Sequence, residues 1–182
     1  MKKKLTVQDL VYSALFATLT AVLSYITIPL PFSPIPITGQ SLAVMLAGLV
    51  LSPLEACLSM TTFLLMGIIG LPVFSAGKAG PGVIFGTSGG YLVGYLLGAV
   101  VISLLIRKNK SKILMYLSGF VGGIVVVHFF GVCWLSFISG MSLTKSFIIG
   151  SLPFLPGDTV KLIVAVPLAI RLNKVIKRNV QR

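Results

Sequence analysis

The 182-residue sequence predicts an all-α integral membrane protein with a single membrane domain over residues 1–182, a bundle of six transmembrane helices whose long outer loops form a ligand lid. Three observations carry this prediction. Hydrophobic residues make up 56% of the chain and charged residues only 10%, whereas a soluble domain carries about a quarter. No Asp, Glu, Lys or Arg occurs over 10–54, 79–106 or 113–144, and each run is long enough for one or two crossings of roughly 20 apolar residues. These runs are continuous, which excludes the alternating ten-residue segments of a β-barrel.

The first span covers 10–28 and ends at Pro29 and Pro31. Lys2, Lys3 and Lys4 before it look like the start of a secretory leader. The run is too long for one, however, and Pro29 to Phe32 stand where small residues would mark cleavage, so it reads as a retained helix. The second span, 40–51, is short for a full crossing; the third is 54–69 and the fourth 90–106. The fifth is 113–137 and the sixth 159–172, with Gly and Pro at most junctions. Connections 30–39, 71–89 and 139–157 form the outer face.

Basic residues set the topology. Lys2, Lys3, Lys4, Arg107, Lys108, Lys110, Lys112, Arg171, Lys174, Lys177, Arg178 and Arg182 lie on one side, and Lys78, Lys145 and Lys161 on the other. This 12-to-3 split places the chain in the cell (plasma) membrane with both termini cytoplasmic. The net charge of +12 therefore needs no nucleic acid to explain it, and no basic stripe with interleaved aromatics is present. Four spans would demand two helices of about 30 residues or leave backbone unpaired in lipid, so six is the better count.

Enzyme signatures fail. One histidine and two cysteines within apolar runs, Cys57 and Cys133, do not make a usual zinc site. Asp9 and Glu55 start the first and third helices, so no carboxylate pair is left for acid–base work. Around Gly77 and Lys78, Pro72 and Ala79 replace residues a phosphate loop requires, so any ATP is bound by another subunit. His128 reads as a packed histidine and Trp134 as an interfacial belt residue.

Asp158 and Lys161 are the strongest pair. Their i, i+3 spacing puts both on one helix face, and ionisable groups in a span mark function by default. The other reading is an N-cap Asp with a snorkelling Lys. Pro156 and Gly157 aim the pair at the outer loops, which favours function. The segment 70–91, rich in Gly and Pro, suits a lid, with Tyr91 either on the ligand or at headgroup level. Gln40 is either a hydrogen-bonding group for a ligand or a cap for the second helix. Ser13, Ala17 and Ala21 form a small-residue stripe that either docks a partner helix or packs internally.

Several of these segments resemble the signature of the BioY family, the biotin-specific substrate-binding components of energy-coupling factor (ECF) transporters. They are Pro34-Ile35-Pro36-Ile37-Thr38-Gly39-Gln40 with Leu46-Ala47-Gly48, Gly70-Leu71-Pro72-Val73-Phe74, Thr87-Ser88-Gly89-Gly90-Tyr91 and Pro153-Phe154-Leu155-Pro156-Gly157-Asp158. Thr87-Ser88 and Ser41 depart conservatively from the family pattern. The resemblance implies a protein that takes biotin from outside, needs no cofactor of its own, and works with a transmembrane coupling component and two ABC-type ATPases. It also implies that Asp158 accepts from the ureido N–H groups and Lys161 donates to the ureido oxygen. Lys78 would meet the carboxylate, and Phe32, Phe74 and Tyr91 would cover the rings near Gly90 and Gln40. Ser13, Ala17 and Ala21 would dock the coupling component. A component for another vitamin, or a self-sufficient secondary carrier, remains an alternative.

Overall fold

A computed structural model describes residues 5–107 and 111–180, with side chains as far as residue 176. Helix α1, Val7–Leu23, opens on a reciprocal cap: Asp9 N donates to Thr6 Oγ1 at 3.2 Å, and Thr6 N donates to Asp9 Oδ2 at 2.9 Å. It stops five residues short of the expected end of the first span. Ser24 and Thr27 hydroxyls donate to the carbonyls of Ala21 and Ser24, both at 2.6 Å, and so compete with further helical bonds. The β-branched Ile26, Thr27 and Ile28 then extend into strand β1, Thr27–Ile28, antiparallel to β2, Ile37–Thr38. A hairpin thus folds the Pro-rich connection back over the bundle end.

Helix α2, Gln40–Val50, is buried along ten of its eleven residues and forms the centre of the bundle. Helix α3, Pro53–Ile68, has Pro at its first position, and Glu55 Oε2 accepts from Ser52 N at 2.8 Å. A one-turn helix α4, Pro81–Ile84, precedes α5, Gly89–Ile106. Helix α6, Lys112–Phe120, runs through a π turn, Val121–Val126, into α7, Val127–Ser139. An extra helix, α8, Leu143–Gly150, occupies the connection expected to be irregular. Helix α9, Leu155–Val180, begins four residues before the expected span, because Pro156 fits a helix's first turn as readily as a loop.

The architecture is all-helical apart from the hairpin. Among the described residues, Gly89–Ile106 and Lys112–Ser139 are long and apolar enough to cross a membrane; Val7–Leu23, Gln40–Val50 and Pro53–Ile68 are shorter apolar helices. Of the bases used for topology, Lys2, Lys3, Lys4, Lys108, Lys110 and Arg182 lie outside the described residues, as do the side chains of Lys177 and Arg178. Arg107, Lys112, Arg171 and Lys174 are exposed, and Arg107 shares a recess with Asp9 and Glu55.

The small-residue stripe on α1 packs inside the chain. Ser13 and Ala17 are 3% and 1% exposed, and Ala21 is also buried. Ser13 Oγ donates to Asp9 O at 2.8 Å and reaches Glu55 O at 3.2 Å, so the stripe faces α3 within the chain. Small residues let the two backbones approach. Accordingly, Ala17→Leu should overpack the crossing at a cost of about 1–3 kcal/mol, read as a lower melting temperature in detergent. An unchanged melting temperature would contradict this packing.

Candidate ligand-binding cleft

At the hairpin end of the bundle, α2, α5, α7 and α9 surround a narrow cleft of about 40 Å³. The β2–α2 corner supplies Thr38, Gln40 and Ser41. Helix α5 supplies Tyr91 and Tyr95, α7 supplies His128, and the start of α9 supplies Asp158 and Lys161. A larger lateral recess of about 610 Å³ among α7, α8 and α9, which His128 also lines, is almost wholly apolar. Convergent polar groups within an apolar wall mark the first cavity as the candidate site.

Asp158 is the hub. Its Oδ1 accepts from Ser41 Oγ at 2.8 Å and Lys161 Nζ at 2.9 Å, and its Oδ2 lies 3.0 Å from His128 Nε2. An ionised carboxylate only accepts, so Nε2 carries the proton. Lys161 Nζ also donates to Thr38 O at 2.7 Å and Ser41 Oγ at 2.8 Å, which gives each of its three N–H groups a partner. The N-cap reading of Asp158 does not hold. Its own backbone N–H bonds Phe154 O at 2.9 Å inside the first turn, leaving the side chain to cross towards α2 and α7. That position still places the anion near the positive end of the α9 dipole.

The other predicted residues divide. Gln40 is 2% exposed; Gly39, not Gln40, occupies the cap position of α2. Its Oε1 accepts from Thr38 Oγ1 at 3.4 Å, and its Nε2 has no hydrogen-bond partner. A buried amide donor left unpaired is costly, and such groups point to an absent partner. Tyr91 is too buried for a headgroup anchor. Its hydroxyl donates to Gly150 O, and its ring meets His128 edge-on at 6.1 Å. Phe74 is fully buried on the cleft wall, edge-on to Phe63 at 5.6 Å.

Three expected contacts fall elsewhere. Phe32 is 59% exposed and is not part of the cleft lining. Lys78 lines an outer vestibule that shares only Pro36 and Ser75 with the cleft. Gly90 is a packing point, because a Cβ there would sit 2.2 Å from Trp134 Cβ and 2.4 Å from Phe130 O. Nor is 70–91 a free loop: Tyr25 Oη donates to Pro72 O at 2.6 Å, and Gly80 N to Gly67 O at 2.8 Å. Trp134 Nε1 donates to Gly86 O at 2.8 Å, which ties this segment down instead of anchoring in a headgroup belt.

The main residue missed by sequence reasoning is His128. It is a lone imidazole in an apolar helix, and the rule that singled out Asp158, that polar groups within spans are expensive, would have found it. No group of three His, Cys, Asp or Glu residues suited to a metal occurs among the described residues.

A model of the BioY family matches residues 1–178. The chain belongs to the BioY family. Relatives include the biotin transporter BioY of Rhizobium etli, 38% identical over 170 residues, covering 88% of this chain and 90% of that protein. The biotin transporter BioY of Thermotoga maritima is also 38% identical, over 92% of this chain and 96% of its own. A solved structure described as the S-component for biotin from an ECF-type ABC transporter superposes with a TM-score of 0.88. It is 33% identical and covers 94% of this chain and 95% of its own. These BioY-family relatives are named for transport, not catalysis.

Proposed function

We propose that this chain binds biotin from the outside as the substrate-specific component of an ATP-driven ECF-type vitamin transporter. The observation that carries the reading is the buried Asp158 hub facing the unpaired Gln40 amide across one cleft. Biotin's ureido ring is small and flat, with N–H donors beside a carbonyl oxygen. Asp158 Oδ2 has a lone pair left for an N–H, and Gln40 Nε2 is a donor for the oxygen. Lys161 reaches that oxygen only by releasing one of its three partners. Phe74, Tyr91 and Tyr95 supply apolar walls for the ring system. The valerate tail points through the Pro36–Ser75 neck towards Lys78, whose ammonium pairs with its carboxylate. Phe32 and Gly90 have no contact with the ligand in this arrangement.

Transport then needs partners of the kind implied by the ECF relative: a transmembrane coupling component and two ABC-type ATPases that bind the nucleotide. The chain itself carries no cofactor in this reading, with membrane lipid around it. Its six spans leave both termini in the cytoplasm and the cleft outside. A titration of the purified protein with labelled biotin, competed by other vitamins, tests the ligand. Saturable binding displaced only by biotin is expected, and displacement by a different vitamin would reassign it. Orientation is tested separately, in a chain without Cys57 and Cys133. Thr144→Cys should react with an impermeant maleimide in intact cells, whereas Lys112→Cys should not; the reverse pattern would invert the topology.

A further inference from the structure

The lateral recess is far larger than the cleft, about 610 Å³ against 40 Å³. Its wall follows the fifth span from Phe120 to Cys133, and Leu143, Phe147, Leu155 and Thr159 of α8 and α9 close the other sides. Phe120 to Cys133 is the middle of the apolar segment Lys112–Ser139, which is long enough to cross the roughly 30 Å of a bilayer's hydrocarbon. The recess therefore opens into lipid and not into water. At about 1.5 Å per residue it extends for roughly 20 Å, which leaves a section of about 30 Å² for its volume. That is narrower than a helix, whose side chains sweep out about 10–12 Å, and suits a single extended hydrocarbon chain. Phe120 and Phe129 stand at least half exposed along it, and apolar walls lose dispersion contacts wherever nothing packs on them.

We propose that the recess is a lipid site that holds one acyl chain of a membrane phospholipid. Protein bounds it on three sides, so the chain is retained and does not exchange like the surrounding bilayer. A second copy of this chain or a partner's helix would need a broader groove. His128 gives the site its consequence. The residue lines both cavities, so the acyl chain lies behind the side chain whose Nε2 is 3.0 Å from Asp158 Oδ2. Hydrocarbon there keeps water from the back of the hub, and hydrogen bonds are stronger where the local dielectric is low. This inference goes beyond the biotin reading and stands or falls without it.

The test counts phospholipid retained by the purified protein in detergent, by native mass spectrometry, and follows melting as lipid is added back. Val132→Phe and Cys133→Phe fill the recess, and Val22→Phe, on the exposed face of α1, is the control. The unmodified protein and Val22→Phe should each keep one phospholipid, and the two recess variants none. After delipidation, dioleoylphosphatidylcholine should raise the melting temperature of the unmodified protein, saturating near about one lipid per chain, and leave the recess variants unmoved. A spread of lipid numbers shared by every variant would mean surrounding lipid only and overturn the proposal. A dimer of the unmodified protein that the recess variants break would also overturn it, and give the recess to a second copy. Should both recess variants fail to fold, the unmodified protein decides, because a melting temperature with no saturable response to added lipid overturns the site.

Discussion

Asp158→Asn should weaken biotin binding by roughly 10- to 150-fold, the equivalent of losing a charged hydrogen bond of about 1.5–3 kcal/mol. The substitution keeps the shape but replaces an acceptor-only group with one whose amide donates. Three donors already converge on this side chain, from Ser41, Lys161 and His128, so a fourth from the ligand finds acceptance only at a carboxylate. Stability should fall too, because Lys161 would keep its charge with no anion beside it; breaking a buried pair typically costs about 3–5 kcal/mol. Pairing Asp158→Asn with Lys161→Met should restore much of the melting temperature and none of the binding. That pattern separates recognition from packing. Normal affinity in Asp158→Asn would remove the hub from the binding reading.

Phe74→Ala should cost about 3–5 kcal/mol of stability, since a fully buried ring leaves a cavity that its surroundings fill only in part. The ring wedges between Phe63 and the backbone of Gly67, where even a Cβ would fall 2.0 Å from its Cζ. It also forms the cleft wall, so biotin affinity should fall in the same variant. Phe32→Ala is the control. That ring is more than half exposed, and its loss should change neither melting nor affinity by more than a small amount. Equal effects from the two would mean that the cleft wall has been drawn around the wrong aromatic.

The sequence by itself determined what depends on local chemistry. Charge-free apolar runs specify helices, and the ends of α2, α3 and α5 fall within one residue of the spans read from Gly and Pro. Asp158 and Lys161 were legible because three positions along one helix guarantee proximity. Only the tertiary structure decided what those residues meet. Ser41 and Thr38 lie 117 and 123 positions from the residues they bond on α9, and His128 lies 30 from Asp158; no local pattern encodes such pairings. The π turn at Val121–Val126 was also invisible, because its extra residue offsets the faces of α6 and α7 from the 3.6-residue period on which sequence reading relies. Small residues show the same limit. Ala17 and Gly90 announce that something approaches closely, yet whether it is a partner, a ligand or the chain's own α3 or α7 is a matter of which helix arrives. In a bundle this compact, the chain itself fills both places.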